Sequence, residues 1–268
     1  MNYNYLKDDI EKCFGKLNIK KDDTLYITGN ISSFGNIKNE KLRELPELFF
    51  KIIKKKIGSG GTIIVPTHSF NLIKSKKIFN PSQRFSETGA FSNYILSLKK
   101  TVRQIHPYSS SSAIGKKANL ICSNNTRHVY GPSSPFQRMI KLNTKFISLG
   151  MPVNQNCSQV HQAEFDMNVP YRYTKEFNHR IKIKNKLYNE KFYLFVLYKQ
   201  YIKLKRNKNK KILKEFLRKE KIKKQKLGKN YIYCYDMKKF YQHTLSLLKK
   251  DIFAWMNHRP KNSSPFRK

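Results

Sequence analysis

Residues 24–69 read T-L-Y-I-T-G-N-I-S-S-F-G-N-I-K-N-E-K-L-R-E-L-P-E-L-F-F-K-I-I-K-K-K-I-G-S-G-G-T-I-I-V-P-T-H-S, and the order of their apolar periods decides the fold class. Thr24, Leu25, Tyr26, Ile27 and Thr28 form a short β-branched and aromatic run, the composition of a buried strand. The small residues at 29–35 make a turn. Over residues 39–57, Leu42, Leu45, Leu48, Phe49, Ile52 and Ile53 recur at steps of three and four, which predicts a helix. Pro46 is tolerated only near the first turn of that helix, where its missing N–H leaves no bond unmade. Gly58-Ser59-Gly60-Gly61 stops it, and residues 62–65 are a second strand, ended by Pro66-Thr67-His68-Ser69-Phe70. A β-α-β unit implies parallel strands with functional groups at their carboxyl ends.

Reading outward, residues 5–18 carry Leu6, Ile10, Phe14 and Leu17 at helical spacing before the turn Lys20-Lys21-Asp22-Asp23. A Ser, Asn and Pro-rich loop at 79–85 leads to a helix predicted over 90–99, then to 102–108 and four serines, 109–112. Ala113-Ile114-Gly115-Lys116-Lys117-Ala118 is expected to open another helix. Gly131-Pro132-Ser133-Ser134-Pro135-Phe136 is a turn into a helix at 137–141, and residues 145–149 are a strand. Alternation predicts β structure from 181 to 201, and Ile212, Leu213, Phe216 and Leu217 share one helix face. The basic run 203–229 is read as solvated helix and loop, 237–248 as a last helix ending near Trp255, and 258–268 as a mobile tail. The expected architecture is α/β: a mostly parallel central sheet flanked by helices, with a further β-rich and helical carboxyl-terminal part. One domain is expected over 1–257, with 181–230 as its basic elaboration. No internal repeat is evident.

A chain of 268 residues, 39% apolar and 13% aromatic, can bury a substantial core. No apolar run reaches the roughly 18 residues that a membrane-spanning helix needs, and M-N-Y-N-Y-L-K-D-D-I-E-K lacks the basic-then-apolar pattern of a signal peptide. Cys13, Cys122, Cys157 and Cys234 are scattered, with no C-x-x-C pair and no close Cys/His quartet. Reduced thiols in a cytoplasm are therefore expected, with no disulfide framework and no metal site.

Lys and Arg number 55 against 17 Asp and Glu, a net charge of +38. Residues 181–268 hold 27 basic and 5 acidic residues, 27 − 5 = +22, leaving 28 − 12 = +16 for residues 1–180. Such a field attracts polyanions, whether nucleic acid, anionic lipid or a phosphorylated ligand. A basic surface under selection and drift toward AT-rich codons both account for it, since 44 of the 55 cations are Lys. A dedicated nucleic-acid reader favours Arg for bidentate contacts, so no specific nucleic-acid partner is expected. Peripheral association with an anionic membrane stays open, and the oligomeric state is not legible.

The chemistry concentrates in N-C-S-Q-V-H-Q-A-E-F-D-M-N-V-P-Y-R-Y-T-K-E-F, residues 156–177. On a helix, His161 and Glu164 at i and i+3 share a face. A carboxylate there sets the tautomer of an imidazole that takes a proton near neutral pH. A hydrogen-bonded structural histidine has the same spacing.

Five segments in order resemble the aminoglycoside 3-N-acetyltransferase family over about residues 22–256. They are G-G-T-I-I-V-P-T-H-S (60–69), R-Q-I-H-P-Y-S-S-S-S-A-I-G (103–115), G-P-S-S-P-F (131–136), S-L-G (148–150) leading to H-Q-A-E (161–164), and L-G-K-N before D-M-K-K-F. The resemblance implies acetyl transfer from acetyl-CoA to a small-molecule amine, with no metal, His161 as base and Glu164 as its orienting partner. It further implies coenzyme contacts at Asn30, Ile31, Thr67, His106 and Ser110, with backbone amides or the hydroxyls of Thr67 or Ser110 facing the oxyanion. His68 is expected to line the pocket. The family's His-Ser-Ser-Leu-like segment is replaced here by Thr28-Gly29-Asn30-Ile31, so contact there falls to backbone. Lysines are expected on the coenzyme's phosphates, though nothing in the sequence singles one out.

The acceptor reading departs from the family's name. Aminoglycosides are polycations, and a +38 field repels them over a Debye length of about 8–10 Å unless Asp166, Glu87 or Glu176 builds a local acidic pocket. The stretch V-P-Y-R-Y-T-K-E-F (169–177) also resembles the branch associated with surface-polysaccharide synthesis. An amino sugar, nucleotide-linked or a polysaccharide precursor, is thus expected beside aminoglycosides, with Arg172 or Lys175 at its anionic part. The alternatives are a nucleic-acid or anionic-membrane binding protein and an inactive family member kept as a scaffold.

Overall fold

The structure, a computed structural model, describes residues 3–123, 126–153, 157–199, 210–220 and 222–256, with backbone only at 210–212 and 214. The tail expected at 258–268, residues 203–209 and 221 of the basic run, and the side chain of Ile212 lie outside the described residues.

The β-α-β unit forms as read: β1 is Thr24–Gly29, α2 is Leu45–Ile57 and β2 is Thr62–His68, preceded by α1 at Lys7–Gly15. A 3-10 turn, Ile31–Phe34, fills the small-residue segment, and a second, Leu42–Glu44, leads into α2 with Pro46 in its first turn. The chain continues through α3 (Ala90–Ser97), β3 (Val102–Arg103), β4 (Ser109–Gly115), α4 (Ala118–Cys122) and α5 (Pro135–Lys141) to β5 (Lys145–Leu149). Next come α6 (Val160–Asp166), β6 (Arg172–Ile183), β7 (Lys186–Leu197), α7 (Lys210–Lys219), β8 (Lys223–Leu227), β9 (Asn230–Asp236) and α8 (Met237–Lys250).

The seven-stranded sheet has the order β3-β4-β2-β1-β5-β9-β8. Its centre, β2-β1-β5, is parallel, while β4 and β9 pair antiparallel on either side. With β3 and β8 antiparallel to their neighbours, five of the seven strands run one way. The period of two divides the core. Leu25, Ile27, Ile63, Val65, Ile147 and Leu149 pack under α1, α2 and α3. Tyr26, Ile64, Phe146 and Tyr235 face α4, α5, α7 and α8.

Three expectations change. β2 does not end at Pro66. The Pro66 carbonyl accepts from Thr88 Oγ1 (2.6 Å), so its polar edge faces the gap beyond the last β1–β2 pair, Tyr26↔Ile64, and its missing N–H removes no ladder bond. Residues 113–115 are strand rather than helix start, and α4 begins only at Ala118. Serines 109–112 can be buried in β4 because the adjacent strand answers them: Ser110 Oγ donates to Thr67 O (2.7 Å), and Ser112 Oγ lies 2.9 Å from Thr67 Oγ1. Finally, residues 223–227 of the basic run form the edge strand β8, whose lysines guard an unpaired edge.

The expected β structure near 181 is a hairpin that starts earlier, at Arg172, and turns through Lys184 and Asn185. Both residues have positive φ, 47° and 65°, the two-residue turn that matches strand twist. It docks through Phe79, Tyr108, Ile181 and Phe192, and Phe79 exchanges backbone bonds with Arg180 and Lys182 (both 2.9 Å).

Candidate active site

β5 runs out at Leu149, and Gly150 turns the chain at φ 64° so close to the 3-10 turn that a Cβ there would lie 2.5 Å from Asn30 O. The chain then reaches α6, where His161 Nδ1 and Glu164 Oε2 are 2.5 Å apart. Glu164 has no exposed surface. Its other oxygen, Oε1, accepts from Tyr171 Oη (2.9 Å), and Arg172 Nε lies 2.8 Å from Oε2 as an ionic contact off the N–H axis. Burial pushes the Glu164 carboxyl up, but Arg172, His161 and the two hydrogen bonds outweigh it and hold it below the usual carboxylate range. A carboxylate kept anionic accepts Nδ1–H, so the lone pair of His161 sits on Nε2. The imidazole is 13% exposed, with Tyr130 edge-on at 5.5 Å. The arrangement can accept a proton from a bound nucleophile.

Gln162, between the two, is fully buried and ties the Gly131 turn to α6. Its Oε1 accepts from Gly131 N and Ser134 Oγ, both at 3.0 Å, and its Nε2 donates to Asp166. Gly131 has φ 100°, and a Cβ there would lie 2.6 Å from the Phe165 ring, so only glycine fits this approach. The G-P-S-S-P-F segment therefore braces the helix that carries His161.

Where β1 and β2 splay apart beyond Tyr26↔Ile64, a 570 Å³ cavity opens at their carboxyl ends. Asn30, Ile31 and Ser32 line one wall, Thr88, Gly89 and Ala90 another, and Met151 and Ser158 a third. Ser158 O accepts from the amide of His161 (3.1 Å), so that wall ends one turn before the base. Asn30 Oδ1 caps the 3-10 turn, accepting from Ser32 N (3.1 Å) and Oγ (2.7 Å). Gly89 (φ 94°) precedes α3, and a Cβ there would meet nothing within 4 Å, which leaves the amides of the first turn of α3 approachable. The uncapped amino end of α3 thus faces the cavity as a donor set suited to amide carbonyls and phosphates, whereas the Ser32 and Asn30 amides of the 3-10 turn are already held by Asn30 Oδ1 and Leu149 O. His68 lines it too, bonded to Ser109 Oγ at 3.2 Å; burial first, then the Arg103 charge, lower its pKa to about 4.

Asn30, Ile31 and His68 therefore stand together on the cavity, with His161 and Glu164 just beyond it. Thr67, Ser110 and His106 are brought elsewhere: all three are wholly buried and none lines the cavity. Thr67 and Ser110 bond each other across β2 and β4 (3.0 Å). His106 Nδ1 accepts from the amides of Tyr108 (3.3 Å) and Ser109 (3.2 Å), so Nε2–H faces Tyr193 O, and burial lowers its pKa to about 3. Its place is that of a loop brace. Arg172, expected at an anionic acceptor group, is turned inward onto Glu164 instead, and its side chain is 3% exposed. Lys175 is exposed on β6 over the ring of Phe177. The three carboxylates considered for an acidic pocket do not converge: Glu87 lines the cavity, Asp166 holds Gln162 and Tyr241, and Glu176 pairs with Lys191. Sequence reasoning missed Tyr171 and Gln162; the helix carrying Glu164 ends at Asp166, so no helical period extends to Tyr171.

Among the described residues no group of three or more His, Cys, Asp or Glu is placed to hold a metal ion, and no helix is long and apolar enough to cross a membrane. All four cysteines are buried and none is in a disulfide.

The profile of the aminoglycoside 3-N-acetyltransferase family matches residues 29–249. Curated proteins return no match. Solved structures share the fold at low identity. The aminoglycoside acetyltransferase AAC(3)-IVa apoenzyme is 18% identical, with 99% of this chain and 96% of that one covered at a TM-score of 0.75. AAC-IIIb in its binary complex with CoASH is 16% identical, with 95% and 99% covered at 0.75. YokD from Bacillus subtilis is 16% identical, with 91% and 99% covered at 0.74. A profile that runs from the end of β1 to the last turn of α8 settles the relationship: this chain belongs to the aminoglycoside 3-N-acetyltransferase family, the N-acetyltransferases that draw their acetyl group from acetyl-CoA.

Proposed function

We propose that the protein transfers the acetyl group of acetyl-CoA directly to a primary amine of an amino sugar, with His161 as general base and Glu164 as the residue that fixes its tautomer. The observation that carries this reading is the buried Glu164 carboxylate, held anionic by Arg172 and Tyr171 against His161 Nδ1. The acceptor nitrogen attacks the thioester carbonyl carbon while His161 Nε2 takes its proton. The C–S bond then breaks, and the imidazolium returns that proton to the departing thiolate, giving the acetamide and CoASH. Backbone amides suit the oxyanion better than the hydroxyls of Thr67 or Ser110, because those hydroxyls are buried and engaged with each other. The 570 Å³ cavity suits the pantetheine arm, with its thioester toward Ser158 and His161.

The preference for an amino sugar, nucleotide-linked or bound for a polysaccharide, over a polycationic aminoglycoside rests on the +38 charge and on the scattered positions of Glu87, Asp166 and Glu176. A reducing cytoplasm fits the four buried thiols. The test is thiol release from acetyl-CoA across an amine panel. His161→Ala is expected to lower the rate by about 10²–10⁴, and an unchanged rate removes the base assignment. Kanamycin-class turnover far above that of amino-sugar phosphates overturns the acceptor.

A further inference from the structure

We propose that His68 is a second catalytic ring of this site, donating a hydrogen bond through Nε2–H to the thioester carbonyl oxygen as the acceptor amine attacks. This deepens the acetyl-CoA reading above and rests on it. Strand periodicity puts His68 on the required face. Along β2, Ile64, Pro66 and His68 point to one side of the sheet, and Ile64 shares a buried cluster there with Val153, Cys157 and Val160, the segment that delivers His161. A run of rings spans the same face. Tyr26, on the cavity wall, lies 5.7 Å from Phe136, Phe136 lies 4.9 Å from Tyr130, and Tyr130 meets His161. His68 and Ser158 line one cavity, so a thioester lodged between them has the base on one side and this ring on the other.

The partners of His68 suit a donor rather than a base. Ser109 stands opposite it in the β2–β4 pairing, with Oγ 3.2 Å from Nδ1. With that hydroxyl donating, the lone pair sits on Nδ1 and the proton on Nε2, on the side of the ring turned away from β4 and toward the cavity. Burial and the Arg103 charge keep the ring neutral down to about pH 4, and a neutral imidazole polarises a carbonyl without giving up its proton. Arg103 itself is a cation that no carboxylate answers among the described residues. Neutral oxygens hold it, Gln83 O at 2.9 Å, Thr67 O at 3.0 Å and Ser110 Oγ at 3.1 Å, with the Phe79 ring at 5.0 Å. A fixed, uncompensated cation behind the donor favours negative charge where the carbonyl oxygen gathers it. Glu87, a carboxylate on this cavity, accepts from Asn71 N (3.1 Å) and does not pair with His68. In the step itself the nitrogen attacks the carbonyl carbon and the C=O π pair moves onto oxygen, which accepts from Nε2–H. That pair returns as the C–S bond breaks and the bonding electrons leave with sulfur. The amine's proton goes to His161, and His68 keeps its own.

The experiment joins thiol-release kinetics to the infrared carbonyl stretch of bound acetyl-CoA labelled at the thioester carbon, in the wild type, His68→Ala and His68→Gln. His68→Ala is expected to lower kcat by about 10²–10³, as loss of one oxyanion donor does. KM for acetyl-CoA and Kd for CoA stay near wild type, because the bond strengthens only as charge develops. His68→Gln keeps an N–H and recovers part of the lost kcat. The labelled stretch lies at lower wavenumber in the wild type than in His68→Ala. Nitrogen NMR of the wild type, which needs no variant to fold, is expected to show His68 neutral with its proton on Nε2, and a proton on Nδ1 overturns the donor. Wild-type kcat in His68→Ala, or a stretch identical in the two proteins, also overturns it while leaving His161 and acetyl transfer intact. Wild-type protein that binds acetyl-CoA but acetylates no amine overturns the acetyltransferase reading instead, and the stretch then decides on His68 by itself.

Discussion

A carboxylate stripped of water costs several kcal/mol unless its charge is answered on the spot, and Glu164 is answered by a guanidinium, a phenol and an imidazole. Removing it strands the Arg172 guanidinium, whose Nη2 already has no hydrogen-bond partner among the described residues. Glu164→Ala is therefore expected to cost about 3–5 kcal/mol of stability in urea unfolding, as breaking a buried pair does. Tyr171→Phe deletes one bond and keeps the ring, with an expected loss of about 1–2 kcal/mol and a smaller fall in kcat than His161→Ala. A Tyr171→Phe protein as impaired in turnover as His161→Ala contradicts this ranking. At this scale the sequence was half legible. His161 and Glu164 are one helical step apart, so their meeting follows from local geometry. Arg172 is expected from the sequence at an acceptor's anionic part and instead turns inward onto Glu164, because one residue cannot declare which way its guanidinium turns.

Among the elements, the β6–β7 turn is the clearest point of strain. Lys184 sits at φ 47°, where a Cβ crowds the following carbonyl, and Asn185 follows at φ 65°. Replacing Lys184-Asn185 with Asn-Gly supplies the residues such a turn favours and is expected to stabilise the fold by about 1 kcal/mol. Thermal unfolding of K184N/N185G checks it, and an unchanged or lower Tm refutes it. The central β-α-β was readable because its periods of two and 3.6 are strong and short-range. The first half of β6 was not, since residues 174–176 are all exposed and no alternation marks them. β4 was missed for a related reason: serines become core only when Thr67 and Arg103 supply partners from distant positions. β8 hid within a lysine run.

At the scale of the whole molecule, four described histidines are kept neutral by the fold. Burial lowers His106 from 6.5 to about 3 and His68 to about 4, and it lowers His128 and His179 as well. Above pH 6.5 these rings are neutral in both states and cost the fold nothing. Below it the unfolded chain takes up protons that the fold refuses, so stability falls as pH drops from 6.5 toward 3. Glu164, held below its ordinary value, adds loss in the same direction under pH 4.5. Urea midpoints are expected to be level from pH 8 to 7 and to decline steadily below pH 6.5. A midpoint constant down to pH 4.5 contradicts the burial of these rings.

The sequence by itself determined the α/β class, the pairing of His161 with Glu164 should they lie on a helix, and the family, because each of these rests on local spacing or on motif order. Tertiary structure alone decided that Arg172 and Tyr171 serve Glu164, and that Thr67, Ser110 and His106 brace rather than line the cavity. The reason is physical: burial and charge pairing depend on residues brought together from far along the chain, and no spacing within a segment encodes which of them will meet.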